Sequence, residues 1–407
     1  MKKAIVFGGG GSRGSYELGA WRALNELGKK FDIATGTSIG AINACMYVQQ
    51  NYEMAEKLWH EISMDEIMEH GISISSSIEK MMEQKDQIPK AIMTFLRNSG
   101  ADVTPLRKLL KECMSEERFF SSPINYALMT VRYPSLEPVE IYKSNIAPGM
   151  LSQWVMASAS LFPAFPVCEI DGEEYIDGGY YEDAPVSLAL RLGAERITTI
   201  YLKDRRHAIK DLYYFHPFNT CIAPHDGLGS MLDFSQDIMR YNEMLGYYDV
   251  MKQYGRYRGM QYTFTNESVK KLERYIHRFV RDISLLSIPD NHLVPVISRN
   301  IAGLKYLSFL EEYCSMPRPQ ACDIFLAKTE MLMIRMDMPA DRVYDLGEVL
   351  REILKYFDEK DRFVLPNDII ARSKKKVEEL LSAHMKSDLP DTTREFINAV
   401  FARTLRK

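Results

Sequence analysis

The rhythm of apolar and polar residues changes early in this chain. Ala4-Ile5-Val6-Phe7 is a continuous apolar run that stops at glycine, which predicts a short strand buried on both faces of a parallel sheet. From Ser15 to Leu27 the apolar residues Leu18, Trp21, Ala23, Leu24 and Leu27 form one stripe, predicting an amphipathic helix closed by Gly28. Phe31 to Ala34 predicts a second strand and Ile39 to Gln50 a second helix. Strand, glycine loop, helix, strand, serine turn, helix is the order of an α/β fold with a parallel sheet.

Residues 52–120 carry mostly helical spacing, with Leu58, Trp59 and Ile62 on one face and a methionine-rich apolar group from Met81 to Leu96. Strand patterns return at Tyr126 to Tyr133, Val139 to Tyr142, Val167 to Ile176 and Arg196 to Leu202. Between the last two, Pro185 to Leu192 predicts a helix with proline in its first turn. Beyond about residue 267 the pattern is amphipathic helix interrupted by prolines. The expected organisation is therefore an α/β region over 1–265 and an α-helical region of unassigned role over 266–407.

Composition narrows the field. Of 407 residues, 46% are hydrophobic and 26% charged, the balance of a globular protein with a substantial core. A formal net charge of -4 argues against nucleic acid as a partner. The six cysteines are scattered, without a C-x-x-C, so neither structural zinc nor a disulfide framework is expected. With no signal-peptide pattern and no long apolar run, the expected location is cytoplasmic, with peripheral contact to membranes.

Two glycine-rich stretches carry the candidate chemistry. Gly36-Thr37-Ser38-Ile39-Gly40 fits a nucleophile elbow, a tight strand-to-helix turn that exposes the serine oxygen. Ahead of it, Gly8-Gly9-Gly10-Gly11-Ser12-Arg13-Gly14 leads into a helix, where backbone amides and the helix dipole can face an anion. The same glycines also satisfy G-x-G-x-x-G through Gly9, Gly11 and Gly14, but the acid that would hold a ribose at the end of the second strand is missing. For the base, two routes are open: Asp177, followed by Gly178 and Gly179, or one of His207, His216 and His225 in a triad.

The glycine loop, the serine elbow and the Asp177-Gly178-Gly179 turn occur in this order, with Ala157-Ser158-Ala159-Ser160-Leu161-Phe162-Pro163 between the last two. In these four blocks the chain resembles the patatin-like phospholipases over roughly residues 1–265. The resemblance implies a three-layer α/β/α fold around a mostly parallel sheet. It implies a Ser38–Asp177 dyad without metal or cofactor, an oxyanion hole from Gly10, Gly11, Ser12 and Arg13, and glycines 9, 14, 36, 40, 178 and 179 shaping the turns. The implied reaction is ester hydrolysis of a phospholipid or other acylglycerol through an acyl-enzyme. One departure is Asp183, where the family often has asparagine. On this reading Met81–Leu96 is either a packed core helix or a membrane-facing lid. Two other functions stand beside it, a nucleotide-binding oxidoreductase and a catalytically silent interaction protein.

Overall fold

The computed structural model describes residues 1–67, 102–284, 310, 313–314 and 319–360. The stretch 81–96 lies outside them. The chain divides into two compact units, Met1–Gln253 and Tyr254–Lys407.

The first unit is built on β1 (Lys3–Phe7), β2 (Ile33–Thr37), β3 (Asn125–Tyr133), β4 (Pro138–Tyr142), β5 (Cys168–Ile170), β6 (Glu173–Asp177), β7 (Arg196–Ile200) and β8 (Asn219–Ile222). They run in the order β5-β6-β3-β2-β1-β7-β8, with β4 also on β3. β1 pairs parallel with β2 and β7, β2 with β3, and β7 with β8, while β4, β5 and β6 join antiparallel. The expected mostly parallel α/β sheet is present, with helices on both faces. Ala4 and Val6 of β1 pack with Val186 and Ala189 of the helix Val186–Arg191. The alternate residue Phe7 meets Tyr47 of α2 (Ile39–Val48) on the other face, once α1 (Ser15–Glu26) has crossed over the sheet. β8 had no clear sequence signal, because its Asn219, Thr220 and Cys221 are only half-buried.

α1 lies against the helix Gln236–Gln253, and the two backbones touch. A Cβ on Gly19 would stand 1.8 Å from the Glu243 carbonyl oxygen, and one on Gly246 1.9 Å from that of Tyr16. Tyr16 Oη donates to Asp249 Oδ2 at 2.7 Å, and Arg22 pairs with Glu243 at 2.7 Å.

A buried polar chain then locks the glycine loop to the helices. Asn43 Nδ2 donates to the Gly14 carbonyl oxygen at 3.1 Å and to Glu17 Oε2 at 2.7 Å, while Asn43 Oδ1 accepts from Trp59 Nε1 at 3.0 Å. Burial pushes the Glu17 carboxyl well above the usual carboxylate range, favouring its neutral form. Leucine at position 43 would strand three buried groups at once, at about 1–3 kcal/mol each. Asn43→Leu is therefore expected to lower the unfolding free energy by about 3 kcal/mol or more, read from urea denaturation.

The second unit contains a small sheet of Tyr257–Arg258, Thr263–Thr265 and Val343–Tyr344 among its helices. Residues 254–265, placed by sequence at the end of the first region, belong to this sheet's unit, since Thr263 and Phe264 pair with Val343 and Tyr344. Here Glu330, fully buried in the helix Ala321–Arg335, accepts the backbone amides of Met260 and Gln261 at 2.7 and 2.9 Å.

Candidate active site

Strand register brings Ser38 and Asp177 together. Residues 127–129 of β3 pair with β2 on one side and β4 on the other, while residues 130 and 131 pair with β4 and β6. A strand has two edges, so β2 and β6 lie end to end along the same edge of β3. They approach from opposite directions: Thr37 pairs with Met129 and Asp177 with Thr130. The next residue after Thr37 is Ser38, and it meets Asp177 head on.

Ser38 occupies φ 57°, ψ -126°, a left-handed conformation that a non-glycine residue holds only when its surroundings enforce it. Gly36 and Gly40 allow the turn. A Cβ on Gly36 would stand 2.1 Å from the Gly40 carbonyl oxygen, and one on Gly40 2.3 Å from that of Phe7. The Ser38 amide donates to Ser158 Oγ at 2.9 Å, and Ser158 Oγ donates onward to the Met129 carbonyl at 2.7 Å. α2 begins directly after Ser38, so the serine sits at the positive end of a helix dipole.

Asp177 is 3% exposed. Its backbone amide donates to the Ser160 carbonyl at 2.9 Å, and its Oδ1 accepts the Gly179 amide at 2.7 Å. Ser158 thus backs Ser38 and Ser160 backs Asp177. In the sequence this block was visible only as a motif, without these two roles. A Cβ on Gly178 would lie 2.2 Å from the Met129 carbonyl, so the turn fits only glycine. Burial pushes the Asp177 carboxyl up to about 7. Hydrogen bonds from Ser38 and Gly179 offset part of the rise, and the nearby Asp183 charge adds to it.

Two of the three candidate histidines are engaged elsewhere. His207 Nδ1 contacts Asp204 Oδ2 at 2.6 Å, and His216 stacks on Phe218 with centroids 3.5 Å apart.

In the glycine loop the amides divide by use. Those of Gly8 and Gly9 donate to the carbonyls of Ile200 and Asp183 at 3.1 and 2.9 Å. The Ser12 amide, expected among the oxyanion donors, is taken by the Met231 carbonyl at 2.9 Å, and its hydroxyl by that of Ser230 at 3.0 Å. The amide of Arg13 donates to the Gly10 carbonyl at 3.3 Å and its Nε to that of Gly229 at 2.8 Å, so Arg13 fastens the loop. Among the described residues, the amides of Gly10 and Gly11 are the ones in this loop that donate to no backbone carbonyl. Gly11, at φ +59°, would place a Cβ 2.1 Å from the Met231 oxygen. Sequence gave no hint that residues 229–231 seat this loop, because they are more than two hundred residues away.

A dinucleotide site finds no support. β2 ends at Thr37, and Asp32, before its other end, accepts the Lys3 amide at 2.8 Å. Among the described residues no group of three or more His, Cys, Asp or Glu is arranged to hold a metal, and no helix is long and apolar enough to cross a membrane.

A serine in a positive-φ turn thus stands beside a buried carboxyl at the end of a parallel sheet, next to a glycine loop. Residues 5–190 match the family model described as patatin-like phospholipase. It is similar to patatin-like phospholipase domain-containing protein 7 of Mus musculus, 28% identical over 208 residues, 50% of this chain and 14% of that protein. Protein 6 of Homo sapiens is 25% identical over 199 residues, 48% of this chain and 13% of that one. Lysophospholipase NTE1 of Mycosarcoma maydis is 23% identical over 201 residues, 49% and 10% respectively. The chain thus spans a small part of the length of these relatives. Among solved structures, VipD from Legionella pneumophila overlays with a TM-score of 0.42 at 13% identity, covering 100% of this chain and 91% of its own.

Proposed function

We propose that this protein is a serine lipid acyl hydrolase that cleaves ester-linked fatty acids from glycerolipids, with Ser38 as nucleophile and Asp177 as general base. The carrying observation is Ser38, held in a positive-φ turn, beside a buried carboxyl raised to about 7. An aspartate near its ordinary value of about 3.9 is a weak base at neutral pH, and raising it toward 7 improves proton transfer without leaving it mostly protonated.

Ser38 Oγ attacks the ester carbonyl carbon as its proton passes to Asp177. The carbonyl oxygen becomes an oxyanion facing the Gly10 and Gly11 amides, a type of contact worth about 10²–10³ in rate per donor. Collapse expels the alcohol, which takes the proton from Asp177, and leaves an acyl ester on Ser38. Water, deprotonated by Asp177, then releases the fatty acid and regenerates the serine. The lipid class rests on the family and on relatives such as the one named a lysophospholipase. Contact with a membrane surface and a cytoplasmic location accompany this reading.

A fluorophosphonate probe is expected to label Ser38 alone, at a rate that rises from pH 5 and levels off above about pH 7, as Asp177 loses its proton. Labelling elsewhere, or a rate flat across that range, would overturn the assignment. A silent scaffold would give no labelling, and a nucleotide-binding protein would instead bind NAD or NADP in a titration.

A further inference from the structure

Asp183 follows Asp177 by six residues. Its carbonyl oxygen accepts the Gly9 amide at 2.9 Å. Its Oδ1 stands 2.9 Å from where a Cβ on Gly9 would be, a point itself 3.4 Å from Ser38 Cβ, and 3.6 Å from the corresponding point on Gly179. A second carboxylate therefore borders the glycine loop, the serine turn and the Asp177-Gly178-Gly179 turn at once. Its other oxygen, Oδ2, pairs with Lys203 Nζ at 3.0 Å. Lys203 is delivered by β7, which ends at Ile200 beside Phe7, so residues 201–203 leave the sheet at the same end as the glycine loop.

We infer that Asp183 and Lys203 form a charged brace that seats the glycine loop beside Ser38 and sets the field in which Asp177 acts as base. Both are positioning residues. The brace rests on the Ser38–Asp177 reading above and adds to it a pair outside the dyad. Backbone hydrogen bonding to Gly9 would be served by any residue at 183. The carboxylate is different: placed near a buried base that must ionise, it opposes that ionisation, and Lys203 limits the opposition. An asparagine here, as in much of the family, would impose no such charge. The other charged or titratable groups acting on the pair are Arg13 from the glycine loop, Asp211 from the segment after β7, Glu17 of α1 and Tyr180 beside Asp177.

The test uses the full chain and four proteins: wild type, Asp183→Asn, Lys203→Met and Lys203→Arg. For each, kcat/KM for a soluble short-chain ester is measured from pH 5 to 9. Asp183→Asn removes the opposing charge and leaves Lys203 in place, so the acid limb is expected to move to lower pH by about one unit. Lys203→Met leaves Asp183 uncompensated, and the limb is expected to move to higher pH. Lys203→Arg is expected to bring it back toward wild type.

If rates fall in Asp183→Asn and Lys203→Met while the limb stays where it is in wild type, the pair is a tether only and the inference is overturned. Should Asp183→Asn fail to fold, the two Lys203 variants decide in the same way. If Asp177→Asn keeps wild-type activity and pH profile, the reading beneath falls, and the brace with it. If Asp177→Asn is inactive but the limb ignores position 203, the brace alone is wrong.

Discussion

Ser38→Ala and Asp177→Asn are each expected to reduce ester hydrolysis by about 10³-fold or more, with the fold retained. Alanine removes the atom that forms the acyl-enzyme. Asparagine keeps the shape of Asp177 and its bond from Gly179, but has no lone-pair base able to accept the serine proton near neutral pH. The two losses are not expected to add, since the residues act on one proton in one step. The double variant should match the worse single one in steady-state assays of a soluble ester. If either single variant keeps more than a tenth of wild-type kcat, the dyad is not the catalytic unit. Alanine at His207 or His216 serves as the contrast, and neither is expected to affect kcat strongly, because their rings are engaged with Asp204 and Phe218.

Stability should move the other way for Asp177→Asn. The folded-state value of this carboxyl is about 7, above that of an unfolded aspartate. Between those two pH values the folded state holds a proton that the unfolded chain has released, so stability falls as pH rises through that window. Asparagine carries no charge to bury. The variant is expected to match wild type at pH 4 and exceed it at pH 8, by a margin on the order of a kcal/mol or more, in urea titrations. A margin that shrinks as pH rises would contradict the burial of this group as a charge.

Gly40→Ala is expected to damage both fold and site. Its Cβ would meet the carbonyl oxygens of Phe7 and Gly8 at 2.3 and 2.5 Å. Both belong to the end of β1 and its exit, held by pairing to β2 and β7, so neither can retreat without disturbing the sheet. Overpacking of this kind costs about 1–3 kcal/mol or more, and here it also displaces the start of α2 on which Ser38 stands. A variant that is both less stable and less active by over ten-fold is expected, measured by thermal melting and ester hydrolysis. Gly227→Ala is the control: a Cβ there meets nothing within 4 Å, so stability should stay within about 0.5 kcal/mol of wild type.

Much of the core was legible in the chain because its signals are local. The apolar run at β1, the stripe of α1 and the turn at Ser38 each follow from a few neighbouring residues. Other features had no local signature. β8 is half-polar, and the long helix Gln236–Gln253 alternates tyrosines and charges without a clean stripe, because it buries Glu243 and Asp249 in bonds to Arg22 and Tyr16 of α1 and Asn242 in a bond to the Leu228 carbonyl. Ser12 shows the limit most clearly. Its position in the glycine loop suggests an oxyanion donor, yet its amide is committed to Met231, a residue no spacing rule connects to it.

By itself, then, the sequence determined the candidate chemistry: a serine on a glycine-framed turn, an aspartate before two glycines, and a glycine-rich loop ahead of a helix. Those are properties of residue type and short-range backbone geometry. The tertiary structure alone decided that β2 and β6 meet end to end on one edge of β3. It also decided that Ser158 and Ser160 hold the two partners and that Asp183 reaches Lys203. Register, burial and charge proximity depend on residues far apart in the chain. For that reason the raised value of Asp177, the property on which its proposed role as base depends, exists only in the folded molecule.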